Sequence, residues 1–136
     1  MMRALAVMVS ILVGCKSDPA PSAAGAASPE AAARCLHAGI KAKSVSATSA
    51  CWHPKLQAEV RTELEEDAAE PGYWDDSLRR AAALEALTAS DFKIGPIQAN
   101  RKAWGDQMAE YRMPDDRDSF HAVRDQGRWF VADSGF

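Results

Sequence analysis

The chain has 136 residues, 16 of them basic and 19 acidic, for a formal net charge of −3. Hydrophobic residues make up 47% of it, enough for one packed core at this length but not for two. The acidic balance, without a basic stripe, excludes a nucleic-acid binder and an electrostatic grip on anionic lipid, and neither an internal repeat nor a glycine-rich phosphate loop is present.

Met1, Met2 and Arg3 precede an apolar run over 4–13, in which Ser10 is the one polar side chain. A membrane-spanning helix needs about 20 apolar residues, and Lys16, Asp18 and Pro19 end this run far short of that. The pattern is that of an export signal that is removed. Its end, Leu12-Val13-Gly14-Cys15, resembles the lipobox of bacterial lipoproteins, with a small residue before the cut and a thiol to carry the lipid. A plain signal peptide with a chance cysteine is the alternative. The resemblance implies acylation of Cys15 and a lipid anchor in the bacterial cell envelope. Because Lys16 rather than Asp follows the cysteine, the sorting rule that comes with the resemblance points to the outer membrane, facing the periplasm. Residues 16–28 are almost entirely Pro, Ala, Ser and Gly and read as a flexible tether with a span of roughly 20 Å. The expected divisions are therefore a signal over 1–14, lipidated cysteine and tether over 15–28, and a single domain over 29–136. Loss of Arg3 with the signal leaves 15 basic against 19 acidic residues, a net charge of −4.

Ser28-Pro29-Glu30 opens the domain as a helix start, with Ser as N-cap, Pro at the first helical position and Glu in the first turn. That helix is expected to run to about Lys43, burying Ala33, Leu36 and Ile40. The small polar residues of 44–49 read as an interruption. A second helix is expected over 55–69, from Leu56, Val60 and Leu64 at every fourth position, and Pro71-Gly72 stops it. Its Glu59, Glu63, Glu66 and Asp67 read as a solvated face rather than a cation site. A third helix is expected over 76–88, with Leu78, Ala81, Leu84 and Leu87 inward. Beyond Ser90 the period shortens toward two, predicting strands over 91–98, 107–113, 119–125 and 128–133. A two-residue turn at Gln126-Gly127 would pair Asp125 with Arg128. It would place Phe120, Ala122, Trp129 and Val131 on one face and His121, Val123 and Phe130 on the other, although a three-residue turn remains open. A helix layer covers one face only, so the face with Val123 and Phe130 is expected to lie open to a partner.

Helices followed by an antiparallel meander ending in Gly127-Arg128-Trp129-Phe130-Val131 resemble the cone-shaped, cystatin-like domains related to nuclear transport factor 2. The opening Ser28-Pro29-Glu30-Ala31-Ala32 is similar to small envelope lipoproteins with that fold. The resemblance implies an α+β fold, N-terminal helices packed on a curled antiparallel sheet, around a pocket. It carries over no catalytic set residue by residue, since members range from isomerases and hydrolases to binding proteins.

Strand-borne candidates for acid, base or donor roles are Tyr111, His121 and Asp133. Against them, no nucleophile or paired carboxylate is placed beside His121 by the sequence, and a surface or hydrogen-bonded core histidine explains it as well. Trp52, Trp74, Trp104 and Trp129 read as core or cavity lining. Cys35-Leu36-His37 and Cys51-Trp52-His53 invite a zinc reading. On a helix, however, residues two apart point about 200° from each other, so Cys35 and His37 would not meet one ion. With Cys15 lipidated, Cys35 and Cys51 are an even remainder in an oxidising compartment, and a disulfide between them is expected, with no metal or cofactor. Three functions stay open: a non-catalytic envelope module binding a protein, peptide or small apolar ligand; a small pocket enzyme, an isomerase or hydrolase, using Tyr111 and His121; and a structural subunit with an open sheet face.

Overall fold

A computed structural model describes residues 25–97, 104–112 and 119–134. The expected signal, Cys15 and positions 16–24 of the tether lie outside the described residues, as do positions 98 and 113 at the ends of two expected strands. The described elements run α1 (Pro29–Lys41), α2 (Val45–Ser49), α3 (Gln57–Asp67), α4 (Tyr73–Arg80), 3₁₀ turns at Ala82–Ala86 and Ala89–Asp91, then β1 (Lys93–Pro96), β2 (Gln107–Arg112), β3 (Ser119–Asp125) and β4 (Arg128–Ser134). Helices precede a curled antiparallel sheet of order β1-β2-β3-β4, an α+β fold.

Local chemistry explains the helix starts. The Ser28 hydroxyl accepts the Ala31 N–H at 3.2 Å, and Pro29 occupies the position where a missing N–H costs nothing. The same device corrects the reading of 44–49 as a break. The Ser44 hydroxyl accepts the Ala47 N–H at 3.0 Å, and the small polar run closes into the short helix α2. The expected helix over 76–88 is also corrected. It begins at Tyr73, ends at Arg80, and tightens into a 3₁₀ turn in which the Leu84 N–H donates to the Ala81 carbonyl. That tightening keeps Leu84 fully buried and Leu87 nearly so.

The hairpin takes the two-residue turn. Asp125 pairs with Arg128 and Val123 with Phe130, and positive φ at both Gln126 (54°) and Gly127 (79°) makes the type I′ geometry that matches strand twist. A register shift between His121 and Ala122 leaves Ala132 as an extra residue on β4, so that His121 faces Asp133. Phe120, Ala122, Trp129 and Val131 point inward onto Leu36 and Ile40 of α1 and onto Leu84, Leu87 and Phe92. The Phe92 and Phe120 rings meet edge to face at 6.1 Å.

Two further expectations are corrected. Val123 and Phe130 do not lie on an open face: Val123 is 0% and Phe130 6% exposed. Ile97, Ala132, Trp104 and Met108 close over Val123, and the His53 ring meets Phe130 edge-on at 5.5 Å. Much of the cover comes from the ends of the β1–β2 connection and from the residues after α2, where no periodicity marks a buried face. The tether, in turn, joins the fold before Ser28. Ala26 and Trp129 exchange two backbone hydrogen bonds of 2.8 and 2.9 Å, an antiparallel bridge on the edge of β4. Farther along that edge the Val131 N–H donates to Cys51 and its carbonyl accepts from His53, so the edge is covered rather than left as a template for another chain.

Candidate functional site

Small residues at helical spacing build an apolar concavity between α1 and α2. Gly39 of α1 stands against Thr48 of α2 so closely that a Cβ there would lie 2.7 Å from the threonine hydroxyl, so any larger residue would push the two helices apart. Ala32, Cys35 and Ala38 on α1, spaced by three, line a groove whose other wall is Ala47 and Cys51 and whose end is Trp129. Its volume is about 390 Å³, within the range of small-ligand sites. Cys35 and Cys51, both in its lining, are joined as a disulfide with Cα atoms 5.9 Å apart. Among the described residues no charged side chain lines the groove, so shape and apolar contact are what they present to a ligand.

The strand candidates do not come together. Tyr111 pairs with Phe120 on the inner face, where its ring lies 6.3 Å from that of Phe92. His121 pairs with Glu110 on the opposite face. There its Nε2 is 3.3 Å from Glu110 and its Nδ1 3.5 Å from Asp133. The strand alternation that separates the two faces keeps Tyr111 and His121 from sharing one cavity. The carboxylates near His121 sit at opposite nitrogens of the ring, so they do not converge on one ion, and among the described residues no group of three His, Cys, Asp or Glu is placed to hold a metal. The pairing of Cys35 with Cys51 takes both thiols out of the zinc arrangement considered with His37 and His53.

The sequence gives no sign of what His53 does. It is 2% exposed, its Nδ1 accepts the Lys55 N–H at 3.1 Å, and its Nε2 lies 2.8 Å from the Asp125 carboxylate. Those partners assign the proton to Nε2, which donates to Asp125. Trp104 stacks on the ring at 5.8 Å. The residues after α2, the β1–β2 connection and the β3–β4 turn thus meet at one imidazole. A short-range motif could not announce this, because Asp125 is 72 residues away.

Beside it, Arg124 donates from Nε and Nη2 to the two oxygens of Asp106 at 3.1 and 2.9 Å. The hydrogen bonds from Arg124 hold the Asp106 carboxyl below the ordinary carboxylate range, and Asp106 raises the guanidinium in return. A lowered folded-state value contributes stability above the unfolded pKa of about 3.9 and loses it as pH falls through the folded value. The stability difference between the native chain and Asp106→Asn is therefore expected to be constant near neutrality and to shrink in acid below about pH 4. Because the pair is exposed, the difference should be small and should fall further with salt. A difference that grows on acidification would contradict the assignment.

No family model matches the chain, and neither a curated protein nor a solved structure matches it. The α+β class rests on the element order and sheet of this structure.

Proposed function

We propose that this chain is a lipid-anchored protein of the bacterial envelope whose domain, cone-like in the cystatin manner, binds a small apolar ligand without transforming it. The observation that carries this reading is the groove of about 390 Å³ between α1, α2 and Trp129, lined by small aliphatic side chains and the disulfide. Among the described residues its lining offers no nucleophile, acid or base, whereas contact with a hydrocarbon surface would be stabilised by about 25 cal/mol for each Å² of apolar area removed from water. The membrane part rests on Leu12-Val13-Gly14-Cys15 after the apolar run.

Ala38 is exposed at the groove wall, so a large residue there can fill the groove without entering the core. Titration of the full mature chain with a fluorescent fatty acid is expected to give saturable binding, which Ala38→Trp abolishes while the circular dichroism and unfolding midpoint stay as in the native chain. Equal binding by the two proteins would remove the groove as the site.

A further inference from the structure

A second concavity lies toward the end of β4, and its chemistry differs from that of the first. Its volume is about 310 Å³, and Trp52, Val60 and Leu64 form an apolar floor between α3 and the end of β4. Val60 and Leu64 are themselves buried, 9% exposed each, so they close the bottom of the groove, and the half-buried Trp52, Leu56 and Tyr73 supply the apolar surface a ligand can cover. Along the rim stand Glu59, Glu63 and Asp67, with Asp133 across from them on β4. Among the described residues no Lys, Arg or His lines it, and none forms an ion pair with Glu59, Glu63 or Asp67; the Asp133 carboxylate also lies 3.5 Å from His121.

We infer that this groove binds an extended basic peptide segment of a partner protein, with cationic side chains on the acidic rim and the apolar side chains between them on the floor. Spacing selects this ligand. Residues four apart on a helix rise about 6 Å, so the three rim carboxylates form a row about 12 Å long. Alternate side chains of an extended chain are separated by about 6.6 Å, which brings successive cations close to successive carboxylates while the residues between them point the other way. A polyamine would match the charges but leave the half-buried Trp52, Leu56 and Tyr73 uncovered. A hard divalent ion needs oxygens at about 2.3 to 2.6 Å from one centre, which a row spaced at 6 Å does not supply. The net charge of −4 after signal removal, from 15 basic and 19 acidic residues, disfavours a second copy of this chain as the occupant.

Glu65 and Glu66 make the test specific, since they lie on the same helix, are exposed, and do not line the groove. The full mature chain is held in nanodiscs of zwitterionic lipid and titrated, by fluorescence anisotropy, with a short labelled peptide of alternating Lys and Val. Saturable binding is expected, weakened about tenfold by Glu59→Gln with Glu63→Gln and changed less than about twofold by Glu65→Gln with Glu66→Gln. It should also weaken in high salt and be unaffected by Ala38→Trp, which alters the other groove. Equal weakening by the two glutamate pairs would reduce the effect to diffuse attraction and overturn the proposal. So would displacement by spermine at the affinity of the peptide, or the absence of saturation up to about 1 mM.

Discussion

Replacing Cys35 and Cys51 together by alanine is expected to lower stability by roughly 3 kcal/mol, the chain-entropy value for a loop of about fifteen residues. The bridge ties the middle of α1 to the residue whose carbonyl accepts the Val131 N–H, so it holds the α1–α2 pair against the edge of β4. Against a typical domain stability of about 5 to 15 kcal/mol this is a large share. Urea unfolding is expected to show a lower midpoint for the double variant, and the native chain should reach the same midpoint after reduction. Thiol counting under denaturing, non-reducing conditions should find neither cysteine reactive. Because both cysteines line the apolar groove, fatty-acid binding should decline in parallel with stability. An unchanged midpoint after reduction, or two reactive thiols in the oxidised protein, would reject the bridge and return the Cys-x-His pair to consideration as a metal site.

Cys15→Ser is the second large effect and tests the anchoring proposal. Each acyl methylene removed from water contributes about 0.8 kcal/mol, so two or three chains hold a protein on a bilayer and their loss releases it. The native chain is expected in the membrane fraction, with a mass increase matching acylation at its new N-terminus. The variant should accumulate as unprocessed precursor or as protein without lipid. No helix among the described residues is long and apolar enough to cross a membrane, so the lipid would carry the attachment of the domain. Normal processing and unchanged membrane recovery of Cys15→Ser would refute this.

Elements governed by their neighbours in sequence were legible from the residues. Ser28, Pro29 and Glu30 satisfy or dispense with the first N–H groups of α1, and Ala33, Leu36 and Ile40 recur on one face, so both the start and the buried side of that helix could be read. The β3–β4 hairpin was legible for a similar reason. Gln126-Gly127 admits the positive φ values of a type I′ turn, and that turn sets the register by which Phe120 and Val131 go inward. Other features depended on what comes near in space. Val123 and Phe130 alternate as an open face would, yet Ile97, Trp104 and His53 cover them from irregular segments that carry no period. Tyr111 and His121 looked equivalent as strand residues until the register put them on opposite sides of the sheet. The stripe Leu56, Val60 and Leu64 marks an apolar side of a helix, and Val60 and Leu64 are buried, but only the placement of α3 beside β4 decides that a groove opens along it. By itself, then, the sequence determined the cap of α1 and the α+β class and narrowed the hairpin to two registers, because each rests on backbone hydrogen bonds and side-chain alternation within a few residues. The two grooves and the His53–Asp125 contact were decided only by tertiary structure, because each is made by side chains or backbone from separate elements whose approach no local pattern encodes.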